Sequence, residues 1–283
     1  MVEENYMEIK RHICFTEKNV PQLLPYLKEN NIAYKIAPSF FTLDIYESSQ
    51  HWGVILDFIR DKEVFSISET VFSKQELKNA EWLSVRSKWR FDYPQPENAF
   101  GYESVTYTKN YHCQECGVGL VQVDSFRMKK MPVRSNRHFL MLNWVDDELF
   151  VSEAVKQLFQ NEGISGITFR DVKDKTGSLS FAEFYQLNIS SFVAHGLQEA
   201  QSCIRAALRC QNCGAVKYHP NGRGQYIFNR EIFENVPDIV KTSDWFGWGH
   251  SASHLILVRQ SVYQLLKANH LERGLIFEPI KLL

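Results

Sequence analysis

Phe150-Val151-Ser152-Glu153-Ala154-Val155-Lys156-Gln157-Leu158-Phe159, followed by Gly166-Ile167-Thr168-Phe169-Arg170-Asp171-Val172, reads as strand, helix, glycine-bearing turn and strand. The same order returns downstream. Leu257-Val258-Arg259-Gln260-Ser261-Val262-Tyr263-Gln264-Leu265-Leu266 matches the first stretch at a constant offset of 107, with Val, Val, Gln and Leu in register. One inserted residue later, Gly274-Leu275-Ile276-Phe277-Glu278-Pro279-Ile280 lines up with the segment that begins at Gly166. Each copy follows a C-x-x-C-G and a tryptophan-bearing loop (Trp144 in one, Trp245 and Trp248 in the other). The pattern predicts a duplication, with repeats at about 111–175 and 208–283. Convergence between two apolar strand–helix–strand segments is the alternative.

Upstream of each copy, four of the six cysteines fall into two matching turns. These are His112-Cys113-Gln114-Glu115-Cys116-Gly117 and Arg209-Cys210-Gln211-Asn212-Cys213-Gly214. Two intervening residues let both thiolates of a turn face one ion, and the glycine lets backbone N–H groups approach the sulfurs. Cys113, Cys116, Cys210 and Cys213 together make a tetrahedral set of soft ligands, so one structural zinc ion is expected, with iron as the other metal the ligands suit. A catalytic zinc keeps an open position, and four thiolates leave none. The 93 residues between Cys116 and Cys210 exceed the spacing of an ordinary zinc ribbon, and equal about one repeat. The alternative is two unrelated reduced pairs. Cys14 and Cys203 read as ordinary small buried residues.

The two knuckles, with Leu149-Phe150-Val151-Ser152-Glu153-Ala154-Val155 and Gly163-Ile164-Ser165-Gly166-Ile167-Thr168-Phe169, resemble the double-CXXCG motif family of bacteria. The resemblance covers roughly Tyr111 to Ile280, and the second copy departs from it where Val258-Arg259-Gln260 replaces Val-Ser-Glu. Some members are immunity proteins that protect the producer of a polymorphic toxin by binding the toxin. The resemblance therefore implies a protein partner, a toxin, and neutralisation by occlusion. It does not extend to the first 105 residues.

Those residues alternate strand and helix signals: strands at Ile9–Phe15, Tyr34–Tyr46 and Val64–Ser68, helices at Asn19–Asn30, Ser48–Arg60 and Ser73–Ala80. Pro25 weighs against the first helix, and Ser73 with Glu76 forms a capping box at the start of the last. With 12 Lys+Arg against 16 Asp+Glu this part is mildly acidic, which would steer a basic partner. The proline-rich stretch Asp92–Gly101 marks a boundary. The expected organisation is α/β (α+β): an N-terminal α/β domain over 1–105 and a duplicated double-knuckle domain over 106–283.

Composition excludes several classes. At 44% hydrophobic and 23% charged, the chain of 283 residues is that of a globular protein large enough to bury a core without disulfides. A net charge of -1 argues against gripping nucleic acid over the whole surface. No apolar run approaches the roughly 20 residues of a membrane span, and the acidic N-terminus is unlike a signal peptide, so a cytoplasmic location is expected. Smaller clusters remain. Trp245, Phe246 and Trp248 form an aromatic loop that reads equally as a partner-binding anchor or as core cover. Arg127, Lys129, Lys130, Arg134 and Arg137 form a basic run beside the first knuckle, either a solvated hairpin face or a nucleic-acid contact. His250 and His254 are spaced i,i+4 without the Glu of a zinc protease helix, and loop positions are expected for both. Asp146-Asp147-Glu148 reads as a charged turn, and Lys217–Gly224 as a turn without a phosphate-binding fingerprint. The leading expectation is a non-enzymatic toxin-neutralising protein with a structural zinc held by four cysteines. The alternative is a zinc-knuckle protein that associates with nucleic acid, and an enzyme centred near His250 and His254 comes third.

Overall fold

The computed structural model describes residues 7–132 and 136–283. The chain is mixed α/β and divides into two compact units. One holds the residues up to Glu76 together with Asn221–Gln225, and the other holds Leu77–Pro220 and Tyr226–Leu283. The units thus part after Glu76, upstream of the boundary expected near residue 105.

In the first unit, strand Glu8–Phe15 pairs antiparallel with Phe41–Tyr46 on one side and Phe65–Val71 on the other, and Lys35–Ile36 adds an edge. Helices Leu23–Glu29 and Trp52–Ile59 cover one face of this sheet, burying Leu23, Leu27, Ile55 and Ile59 against Ile13, Phe15 and Leu43. Pro25 is tolerated because the helix begins only at Leu23. Its missing N–H falls in the first turn, where no intrahelical acceptor exists. Ser73 and Glu76 cap helix Lys74–Asn79 reciprocally: the Ser73 N–H donates to Glu76 Oε2 at 2.8 Å, and the Glu76 N–H donates to Ser73 Oγ at 3.1 Å. The turn at Asn221–Gln225 belongs to this unit, with Arg223 forking onto the Glu47 carboxylate.

The second unit is built on two five-stranded sheets. In spatial order the first runs Arg127–Met128, Ile167–Asp174, Ser180–Ile189, Leu149–Ser152, Phe139–Leu140. The second runs Phe192–Val193, Ile239–Thr242, Ile256–Arg259, Trp82–Ser87, Leu275–Pro279. One inner strand of each sheet comes from outside the strand–helix–strand copies. Trp82–Ser87 precedes the first knuckle yet lies inside the second sheet, between Ile256–Arg259 and the edge strand Leu275–Pro279. Ser180–Ile189 precedes the second knuckle and fills the middle of the first sheet. A strand as apolar as Trp82-Leu83-Ser84-Val85 needs a neighbour on each edge and cover on each face. That need binds residues 77–105 to the second unit.

Among four strands of each sheet the pairing agrees residue for residue. Val151 sits opposite Tyr185 and Phe139, as Val258 sits opposite Leu83 and Ile239. Phe169 sits opposite Leu187, as Phe277 sits opposite Val85. Helices Glu153–Asn161 and Gln260–Ala268 end alike, with Gly163 and His270 both left-handed at φ 64° and 57°. The corresponding side chains Val155 and Val262, Phe159 and Leu266, and Leu149 and Ile256 all enter one hydrophobic core.

Candidate metal centre

The two knuckles meet. The four Sγ atoms of Cys113, Cys116, Cys210 and Cys213 all lie within 4.8 Å of one another. Cys113 and Cys210 are 3.8 Å apart, and Cys116 and Cys213 are 3.5 Å apart. Sulfurs bound at about 2.3 Å around a tetrahedral ion stand about 3.8 Å from each other, whereas a disulfide would bring them to about 2 Å. The spacing therefore fits one metal ion held by four thiolates.

Each knuckle is shaped by the same backbone hydrogen bonds. The Cys113 N–H donates to Val118 O and the Gly117 N–H to Cys113 O, each at 2.8 Å. The Cys210 N–H donates to Ala215 O at 2.8 Å and the Gly214 N–H to Cys210 O at 3.0 Å. Both closing glycines are left-handed, at φ 77° and 75°. At Gly117 a Cβ would also stand 1.9 Å from the His250 carbonyl oxygen, so loop Trp248–Ser251 is packed directly on this glycine. Backbone N–H groups around Cys116, with the Asn212 amide donating to Cys113 Sγ at 3.5 Å, draw the Cys113 thiol down to about 6. Burial pushes Cys116 up to about 12. Metal binding requires that Cys116 proton to leave, which ties affinity to pH.

Lys217, three residues past Gly214 on strand Val216–Pro220, is a component of the site that spacing alone did not reveal. Its buried ammonium donates to Cys116 O at 2.7 Å, to Ser251 O at 2.9 Å and to Gly249 O. Burial lowers its pKa, and the four cysteines oppose that fall. It pins the 249–251 loop to the first knuckle and places a cation beside a cluster that, loaded with a divalent ion, carries excess negative charge.

The other sequence candidates scatter. Phe246 is 3% exposed and packs against Tyr218 and Tyr226, so it is core rather than partner contact. The half-buried Trp245 lies on the His254 ring at 3.7 Å between centroids. Trp248 is 61% exposed, beside His219. Within the basic run, Arg127 and Lys129 pair with Asp124 and Glu97, Arg137 lies over the Trp89 ring, and Lys130 is exposed. Arg134 lies outside the described residues. His250 and His254 share no helix, and neither joins the cysteine cluster. The acidic triplet is only partly a charged turn. Glu148 is buried, accepts from Lys241 Nζ at 2.6 Å and from Gln186 Nε2 at 2.8 Å, and forms an ion pair inside the second unit. Burial raises the Glu148 pKa, opposed by Lys241.

Among the described residues no helix is long and apolar enough to cross a membrane. No family model matches the chain, and no curated protein matches its sequence.

Proposed function

We propose that this chain is a non-catalytic binding protein of the toxin-neutralising, immunity type, tied together by a structural zinc ion. The carrying observation is the convergence of four cysteine sulfurs from two knuckles, which supplies a complete tetrahedral set and leaves no position for a substrate or an attacking water. Zinc is the ion favoured by four thiolates without a redox task. The matching registers of the two halves support a duplication in which knuckle, strand, helix and strand were copied and one inner strand of each sheet, Trp82–Ser87 and Ser180–Ile189, was exchanged.

Support for a protein partner comes from the surface of the second unit. Trp248 and Tyr111 are 61% and 79% exposed, and aromatic side chains of that kind anchor protein interfaces. The resemblance of the knuckles to the double-CXXCG family makes the partner a toxin and the mechanism occlusion. The test is capture of the tagged protein from its native cells with a high-salt wash. A stoichiometric protein partner is expected, toxic when expressed alone, harmless when co-expressed with this chain, and bound at least about tenfold more weakly by Trp248→Ala. Recovery of nucleic acid that leaves with salt, and of no partner whose toxicity the chain relieves, overturns the reading.

A further inference from the structure

The first unit carries a second group of reactive side chains. Strand Glu8–Phe15 sends Ile13 and Phe15 into the core, and alternation turns His12 and Cys14 to the opposite, open face of the sheet. Register then sets Asp44 opposite His12 and Thr42 opposite Cys14 on one neighbouring strand. On the other neighbour, Ile67 and Phe65 stand opposite the same two residues. Cys14 Sγ lies 3.6 Å from His12 Nε2, and His12 Nδ1 lies 2.6 Å from Asp44 Oδ1. A nucleophile, a base, and a third group that orients the base are the parts of an activated thiol. With Nδ1–H given to Asp44, the histidine presents Nε2 to the thiol as an acceptor. The hydrogen bond from His12 holds the Asp44 carboxyl below its ordinary value, so it is ionised at neutral pH.

A pocket of about 160 Å³ opens beside this relay, lined by Ala33, Tyr34, Lys35, Thr42 and Asp44. Asp44 belongs to both relay and pocket, and Thr42 is the cross-strand neighbour of the thiol. The charged groups that share the face are Glu8 and Lys10 on the same strand, the latter 3.4 Å from Asp44, Glu69 opposite Lys10, and Lys35 opposite Thr42. The helices pack on the other face.

The sheet itself selects the chemistry. Acyl transfer needs preorganised donors aimed at a developing oxyanion. Strand Glu8–Phe15 is paired along both edges, so its backbone N–H groups lie in the ladder and not toward the open face. Thiol–disulfide exchange needs only a thiolate, an accessible sulfur and a proton acceptor. We propose that Cys14, with His12 as its base and Asp44 as the positioning group, is a thiol-exchange site that takes up a low-molecular-weight thiol as a mixed disulfide. His12 Nε2 accepts the Sγ proton, and the thiolate attacks one sulfur of a disulfide R–S–S–R. A Cys14 S–S bond forms, the R–S–S–R bond breaks, and R–S⁻ leaves with the electron pair and takes the proton from the imidazolium. Cys14 is oxidised, and one R–S group is reduced to R–SH.

The test uses the intact chain and oxidised glutathione between about pH 6 and pH 9, with adducts located by mass spectrometry. Trypsin isolates Cys14 on the peptide His12–Lys18. The expected result is one adduct on that peptide, formed at least about tenfold faster than on the buried Cys203 and absent in Cys14→Ser. Asp44→Asn and His12→Gln should each slow the reaction at neutral pH about tenfold and move its pH–rate profile upward, with the melting temperature confirming that each variant is folded. No adduct on the His12–Lys18 peptide of the unaltered protein overturns the proposal. So does a Cys14 reaction whose rate and pH profile are the same in both folded variants.

Discussion

Gly117 and Gly214 hold the same place in the two knuckles, yet their surroundings differ. Both take the left-handed conformation, but only Gly117 faces a backbone carbonyl, and nothing stands within 4 Å of a Cβ at Gly214. Gly214→Ala should lower stability by about 1–2 kcal/mol, the cost of left-handed backbone for an ordinary residue. Gly117→Ala adds displacement of the His250 peptide and should cost clearly more, read as a larger drop in melting temperature together with loss of bound metal. Cys113→Ser removes one of four ligands; metal analysis should fall from one ion per chain toward none, and melting should fall with it. Unchanged metal content and melting would show that the knuckles are two independent pairs. At the buried ion pair, Lys241→Met alone leaves Glu148 uncompensated and should cost about 3–5 kcal/mol. Adding Glu148→Leu should recover most of that loss in a double-mutant cycle, because the pair leaves together. At this scale the clustering of the four cysteines was legible from spacing and chemistry. Lys217, Lys241 and His12 were not, because a lysine or histidine has no local signature until folding decides what faces it.

Each helix of the second unit offers a matched experiment. Val155 and Val262 are both fully buried and occupy corresponding positions on Glu153–Asn161 and Gln260–Ala268. Val155→Ala and Val262→Ala should each cost about 2 kcal/mol, and by similar amounts, since both lose two methyl groups from the same core. Denaturant unfolding of the two variants checks this, and a large inequality would mean the halves are packed less alike than their registers. Strand Trp82–Ser87 makes a sharper distinction. A chain begun at residue 106 lacks the inner strand Trp82–Ser87 of the second sheet and should not fold, whereas one begun at residue 77 keeps it. Circular dichroism and solubility of the two truncations decide the point. The strand–helix–strand elements could be read from hydrophobic period. The membership of Trp82–Ser87 could not, because a short buried strand looks the same whichever sheet it joins.

Over the whole molecule, acid should act in two ways. Asp124 is held below its ordinary pKa first by Lys173, and Glu47 is held low by Arg223 and Arg11 against the effect of burial. A lowered carboxylate contributes stability above its unfolded pKa and loses that contribution as pH falls through the folded one. Melting temperature should therefore decline below about pH 4, and Asp124→Asn should flatten that decline. A metal held by the four cysteines would respond over a different range. Since the Cys116 proton must leave on binding, competition with a chelator should show affinity falling as pH is lowered, well before the carboxylates titrate.

Residue type and local spacing were enough for the mixed α/β class, the grouping of the four cysteines at one place, and the helices and strands with strong periodicity, because folding alters neither. Long-range packing had to be seen before the inner strands Trp82–Ser87 and Ser180–Ile189 could be traced to the segments ahead of the knuckles. The same packing put Cys14, His12 and Asp44 on one open face and sent Phe246 into the core. The reason is common to all of these. They rest on contacts between residues far apart in the chain, and the strand register and burial that set them are chosen by the packing of the whole unit.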